Sequence, residues 1–264
     1  MTMAQSIGIV GGTGQLGSAI AQGLLRSQFI TPERLWISSR SGNTSAFEDG
    51  LGIRFTTRNQ DLVDACRIVI VSVPPHLAST VAINAEDRLV ISVMAGISIE
   101  QIQQQTHAKR IVRAMSNPAA EIGLAYSPWC ASTNVTDEDR EWTRRLFEAC
   151  GLTDEVPDEE QIDHFTAMTG PVPGFVAYYA DCMVEYALKH GIDPAIADRA
   201  VRQLFHASGV VLAGSQTSPG EHVRNMIAYA GTTAAGLKAM KASTLAVSIE
   251  QGLEAAYQKA QHIA

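Results

Sequence analysis

The chain has no apolar run long enough to span a bilayer, which argues against a membrane-embedded protein. Its first residues lack a basic segment followed by an apolar one, so no secretory leader is expected. It has no excess of positive charge. The formal net charge is −7, which argues against nucleic acid or an anionic membrane surface as partner. A small anionic ligand in a local pocket is still compatible with that balance. Cysteine is scarce and scattered. Cys66, Cys130, Cys150 and Cys182 form no CxxC pair, and the histidines are isolated. Neither a disulfide framework nor a metal site is expected, and free thiols fit a cytoplasmic location. What is present is 264 residues with 46% hydrophobic content, enough for one large or two modest domains.

The most informative stretch lies at the start. Ile7-Gly8-Ile9-Val10 reads as a short apolar strand, and Gly11-Gly12-Thr13-Gly14-Gln15-Leu16-Gly17 follows it directly. A helix is expected from Ser18 to Leu25. Strand, glycine loop and helix are the context a dinucleotide site needs. Gly12 is expected to permit the tight turn, Gly14 to let the backbone approach a pyrophosphate, and Gly17 to let helix pack on strand. Free N–H groups at the helix start would face the anion. The ordinary alternative is a tight turn in an α/β protein that binds no nucleotide.

The two halves differ in texture. Leu35–Ser38, Ile68–Val73, Leu89–Val93 and Arg110–Met115 read as further strands. Their runs are continuously apolar, as a parallel sheet covered on both faces requires. Thr136 is expected to cap a helix running through Glu148. After about residue 160 the strand signals vanish. Helices are expected from Phe175 to His190, from Pro194 towards Gly214, after Ser218, and from about Ser243 to His262. From Val172 to Leu188 the only charges are Asp181 and Glu185. So apolar a helix is expected to be buried, and to build an oligomer rather than to serve as the core of a monomer.

The second strand lacks the carboxylate that would bind a ribose 2′-OH. It ends instead in Ser38-Ser39-Arg40-Ser41. Arg40, with the Ser39 hydroxyl beside it, can pair with a 2′-phosphate, which favours NADP over NAD. The alternative is that Arg40 is a solvated loop charge.

Several segments then carry a resemblance. Ser72-Val73-Pro74-Pro75 and Ser92-Val93-Met94-Ala95-Gly96-Ile97-Ser98 follow two of the strands. Arg113-Ala114-Met115-Ser116-Asn117-Pro118-Ala119-Ala120 is similar to an Arg-x-Met-Pro-Asn-Thr-Pro-Ala stretch. Thr169-Gly170-Pro171-Val172-Pro173-Gly174-Phe175 is similar to the entry of a long dimerisation helix. Gly231-Thr232-Thr233-Ala234-Ala235-Gly236-Leu237 matches a Gly-Thr-Thr-Ile-Ala-Gly-Leu signature. In their order these resemble the pyrroline-5-carboxylate reductases over nearly the whole length.

The resemblance implies an α/β chain. Its N-terminal Rossmann domain, residues 1–157, has a mostly parallel sheet. An all-helical C-terminal dimerisation domain, residues 158–264, follows. It implies NADP at Gly12, Thr13, Gly14, Gln15, Leu16, Ser39, Arg40, Val73, Pro74, Ala95, Gly96 and Asn117. It implies a small imine substrate at Tyr229, Gly231, Thr232 and Thr233, with Thr233 and Thr232 as the catalytic pair. It further implies a homodimer or higher homo-oligomer built through the helical domain. The reaction would be reduction of Δ1-pyrroline-5-carboxylate to L-proline by hydride transfer. The residues agree, since backbone N–H groups and threonine hydroxyls at a helix start can receive a carboxylate without an arginine. Plain helix capping would use the same residue types.

Departures cluster at the expected site. The family's Ser-Pro-Gly-Gly is Ala228-Tyr229-Ala230-Gly231 here, and the Lys of its Lys-Pro has become Pro74. Another small imine or carbonyl substrate, or a non-catalytic NADP-binding dimer, are therefore alternatives. The glycine loop is closer to that of F420-dependent NADP reductases, a similarity confined to the first domain. The β-hydroxyacid dehydrogenases are set aside because no lysine lies between Thr169 and Leu188. His164, His206 and His222 read as structural histidines rather than catalytic ones.

Overall fold

Burial on both faces decides which apolar runs become strands. The computed structural model describes residues 5–263. In it β1 (Ile7–Val10), β2 (Leu35–Ser38), β4 (Ile68–Val71), β5 (Leu89–Ser92) and β6 (Arg110–Ala114) pair in parallel. Two more strands extend the sheet, β3 (Arg54–Thr56) in parallel and β8 (Trp129–Ala131) antiparallel to β6. The order is β3-β2-β1-β4-β5-β6-β8. Alternation along each strand sorts the side chains. Ile7, Ile9, Ile68, Ile70, Leu89 and Ile91 enter one core with α1 (Gln15–Arg26) and α4 (Asp137–Glu148). Val10, Val69, Val71 and Val90 enter the other with α2 (Asn59–Ala65) and α3 (Ile99–Thr106). Each fully buried Ile or Leu contributes about 1.5–3 kcal/mol.

Caps set where the helices begin. Thr136 accepts from the Asp139 N–H at 3.2 Å, and the Asp139 carboxylate accepts from the Thr136 N–H at 3.1 Å, so the expected cap is a full capping box. Ser98 and Gln101 make the same box at α3. A short parallel pair, β7 (Ala125–Tyr126) with β9 (Gly151–Leu152), flanks α4.

One compact unit extends through α5 (Glu159–Met168) to Val172 and takes in the chain from Ala255 onward; the second is Pro173–Glu254. The second unit holds α6 (Gly174–Lys189), α7 (Pro194–Ala213), α8 (Pro219–Ala228), α9 (Thr232–Ala242) and the first part of α10 (Leu245–Gln261). Asp193 caps α7 through the Ala195 and Ile196 N–H groups at 3.0 and 3.1 Å. Ser218 caps α8 through the Glu221 N–H at 3.3 Å. In the single chain α6 is not the core of a monomer, in keeping with the expectation that its burial belongs to an oligomer. Ala187 alone is buried on it, while Phe175, Val176, Tyr178 and Tyr186 are exposed, Tyr178 to 72%. The single chain offers no partner for that apolar face, which is the pattern an oligomer interface leaves in one subunit.

Candidate functional site

The sheet decides where a ligand can sit. From β1 the chain proceeds to β2 and β3 on one side, then returns to β4, β5 and β6 on the other. The crevice between the β1 and β4 ends is a topological switch point, the usual ligand site of such sheets. The loop at β1 is built by its glycines. The left-handed turn falls at Gly11 (φ 77°), one residue before the expected Gly12. Gly12 is required for packing instead, since a Cβ there would lie 2.9 Å from Ile37 Cγ2 and 3.0 Å from the Ile9 carbonyl oxygen. A Cβ on Gly17 would lie 2.6 Å from the Gly11 carbonyl oxygen, so α1 could not approach β1. Gly14 is exposed and caps α1 with no side-chain hydrogen bond. The first-turn N–H groups of Gln15 and Leu16 have no intrahelical acceptor. This cradle fits a pyrophosphate.

The other candidates follow the strands along the same edge. Ser39 and Arg40 follow β2, and among the described residues the exposed Arg40 makes no ion pair. Val73 and Pro74 follow β4, and Ala95 and Gly96 follow β5. Asn117 lies beyond β6 and is buried. Its Nδ2 donates to the Thr169 carbonyl at 3.1 Å, and its Oδ1 accepts from the Ala119 N–H at 3.0 Å. The edge thus collects every residue read as a cofactor contact, although Asn117 has much of its bonding capacity committed to the protein.

Gly231, Thr232, Thr233 and Tyr229 lie in the helical unit. Gly231 is the N-cap of α9 and has no side chain to cap with. The Ala234 and Ala235 N–H groups return to the Gly231 carbonyl at 3.1 and 3.3 Å. The Thr232 and Thr233 N–H groups are left for an outside acceptor, at the positive end of the helix. They line a depression of about 420 Å³ with His222, Asn225, Met226 and Tyr229. Tyr229 is 88% exposed. His222 Nε2 lies 3.0 Å from Ser215 Oγ, and His164 stacks on Tyr257 with ring centroids 3.9 Å apart. Asn225 and Met226 carried no signal in the sequence, because only the α8–α9 turn brings them to Thr233.

One buried network beneath the edge was equally invisible. Arg113 on β6 pairs with Glu159 at 3.1 Å and with Asp163, both on α5. Glu159 Oε1 also accepts from the Ile99 N–H at 2.7 Å, across sixty positions of sequence. Burial pushes the thiols of Cys66, Cys130 and Cys150 up to about 12. Among the described residues no cluster of His, Cys, Asp or Glu could hold a metal ion, and no helix is long and apolar enough to cross a membrane.

A doubly wound sheet with a glycine cradle at its switch point defines a dinucleotide-binding fold. Residues 6–96 match the family described as "NADP oxidoreductase coenzyme F420-dependent", and residues 159–263 match "Pyrroline-5-carboxylate reductase dimerisation". The pyrroline-5-carboxylate reductase of Thermus thermophilus is 30% identical, with 96% of each chain covered. The chain belongs to the pyrroline-5-carboxylate reductase family. Two solved structures agree in fold over 98% of each chain. One is the Streptococcus pyogenes 1-pyrroline-5-carboxylate reductase (28% identity, TM-score 0.81). The other is a Plasmodium falciparum pyrroline carboxylate reductase with NADP bound (24% identity, TM-score 0.84).

Proposed function

We propose that this chain is an NADP-dependent reductase of a cyclic imine, converting Δ1-pyrroline-5-carboxylate to L-proline. The observation that carries the reading is full-length membership of the family, joined to an uncapped Gly231-Thr232-Thr233 helix start. Gly12, Thr13, Gly14, Gln15 and Leu16 form the pyrophosphate cradle. Ser39 and Arg40 receive the 2′-phosphate. Val73, Pro74, Ala95, Gly96 and Asn117 border the remainder. When bound, NADPH supplies the hydride. The protein's part is to orient the imine and keep water out, since a protonated imine is already electrophilic. The Thr232 and Thr233 N–H groups receive the substrate carboxylate, and the Thr233 hydroxyl holds the ring nitrogen. Tyr229 flanks that position. The functional boundary falls between residues 157 and 158, ahead of α5. The bare face of α6 is the centre of a homodimer, or of a larger ring of dimers.

A second reading has its own support. Tyr229 and the left-handed Ala230 (φ 60°) stand in the turn that leads into Gly231. A bulky, strained turn at the carboxylate site favours a different small imine. The test is an NADPH oxidation assay with pyrroline-5-carboxylate, pyrroline-2-carboxylate and unsubstituted pyrroline. Turnover highest with pyrroline-5-carboxylate supports the first reading, and preference for the uncharged ring supports the second. Tight NADPH binding with no turnover of any ring overturns both.

A further inference from the structure

Two adjacent carboxylates open α5; Glu159 reaches the carboxyl edge of the sheet and Glu160 reaches α10. Glu159 Oε1 accepts the Ile99 N–H at 2.7 Å, at the first residue of α3 and directly after the loop holding Ala95 and Gly96. The same oxygen receives Arg113 at 3.1 Å from the buried end of β6. Glu160 Oε1 accepts from the Tyr257 hydroxyl at 2.8 Å, near the end of α10. That tail returns to the same loop. Gly96 takes a left-handed conformation (φ 71°), and a Cβ there would collide with the Ala260 carbonyl and with Ile263. The loop is therefore bonded to Glu159 at its helix end and packed against a tail that Glu160 holds.

The place of this loop on the sheet gives the bond its meaning. With the 2′-phosphate at β2 and the pyrophosphate at β1, the far end of an extended dinucleotide falls beyond the switch point, over β4 and β5. We infer that Glu159 is a positioning residue for the cofactor: it fixes the Ala95–Gly96 loop through the Ile99 N–H and so sets how tightly the redox-active half of the dinucleotide is held. The inference rests on the functional reading above. Asp163 provides the internal control. It shares Arg113 with Glu159 but, among the described residues, makes no hydrogen bond to the loop.

The experiment measures NADPH affinity by its fluorescence, with no imine present, alongside the melting temperature. Three variants of the full chain are compared with wild type. Glu159→Ala is expected to weaken NADPH binding about ten-fold, the scale of one lost hydrogen bond to a charged acceptor. Glu159→Gln keeps an acceptor for the Ile99 N–H and is expected to recover most of that affinity. Asp163→Asn is expected to lower the melting temperature while leaving NADPH affinity within two-fold, roughly the spread of neutral substitutions. Equal loss of affinity in Glu159→Ala and Asp163→Asn would reduce Glu159 to a structural residue and overturn the inference alone. So would unchanged affinity in Glu159→Ala. A wild-type chain that binds no NADPH overturns the functional reading, and the inference with it.

Discussion

The two units of this chain bury their apolar residues in opposite ways. In the sheet unit, Ile9, Ile37, Ile70 and Ile91 are fully enclosed, and two complete cores cover both faces. In the helical unit the buried apolar side chains are Ala187, Ala197, Val201 and Ala234, while Val176, Tyr178, Val210, Val211 and Ile249 stand in the open. Four small buried side chains are little to set against the entropy of ordering four helices and part of a fifth. The first unit carries its own two cores, whereas the second leaves its apolar faces bare, as a subunit of a homo-oligomer built through a dimerisation domain would. Stability in the first should be independent of concentration, and in the second it should not.

The largest effect expected tests that contrast directly. Val176→Glu places a charge on the α6 face, which in a solvated surface would be nearly silent. Within an interface the buried charge costs several kcal/mol. Sedimentation should show a monomer, with imine turnover lost. A variant that stays oligomeric with an unchanged melting temperature would break the comparison. Ile70→Ala in the sheet unit is the counterpart. It should cost about 2–5 kcal/mol at every protein concentration, without changing the subunit count.

Arg40→Ala acts within the sheet unit. Losing one charged hydrogen-bond donor is worth roughly 1.5–3 kcal/mol, so the KM for NADPH should rise about ten-fold or more. The KM for NADH, which has no 2′-phosphate, should hardly move. Equal effects on the two cofactors would return Arg40 to a solvated loop charge.

The thiols sharpen the contrast with a smaller, kinetic readout. Cys66, Cys130 and Cys150 belong to the sheet unit and are buried, with burial pushing each to about 12. The thiolate is the reactive form, so at pH 8 these three should resist alkylation in the native protein. Cys182 is exposed on α6 in the single chain. It should label slowly in the wild-type oligomer and readily in Val176→Glu. Rapid labelling of Cys182 in both proteins would mean that its stretch of α6 is solvated.

The same contrast explains what could be read from the sequence. Runs such as Ile68–Val71 are legible because both faces of a parallel strand are buried, which forces continuous apolar residues. Arg54–Thr56 escaped notice because it is an edge strand with exposed side chains, and Trp129–Ala131 because three residues carry no period. Helix α5 has no clear amphipathic pattern between the halves, since Glu159 and Asp163 turn to Arg113 while Glu160 lies exposed beside Tyr257. The candidate cofactor contacts were legible as loops that follow strands. The apolar texture of α6 is legible because an oligomer interface needs it, and one chain by itself leaves that face bare. Glu159 had no local signal, because its partners Ile99 and Arg113 come from other elements of the fold.

The smallest effect expected lies in the turn between α8 and α9. Ala230 has φ 60°, and its N–H bonds the Ile227 carbonyl at 3.2 Å, so it fills the left-handed position that ends a helix. A Cβ costs about 1 kcal/mol there, and a glycine gives part of that back through the greater freedom of its unfolded chain. Ala230→Gly should therefore raise the melting temperature by only about 2 °C at fixed protein concentration. The informative readout is the substrate constant. The strained turn holds Tyr229 over the depression that Thr232 and Thr233 line. If the strain serves the site, the more stable variant should bind its imine less tightly. A variant with a lower melting temperature would show that the Ala230 methyl packs where the present geometry leaves it open. A more stable variant with an unchanged KM would mean that Tyr229 is placed by α8 alone, and that the strain in the turn has no part in choosing the substrate.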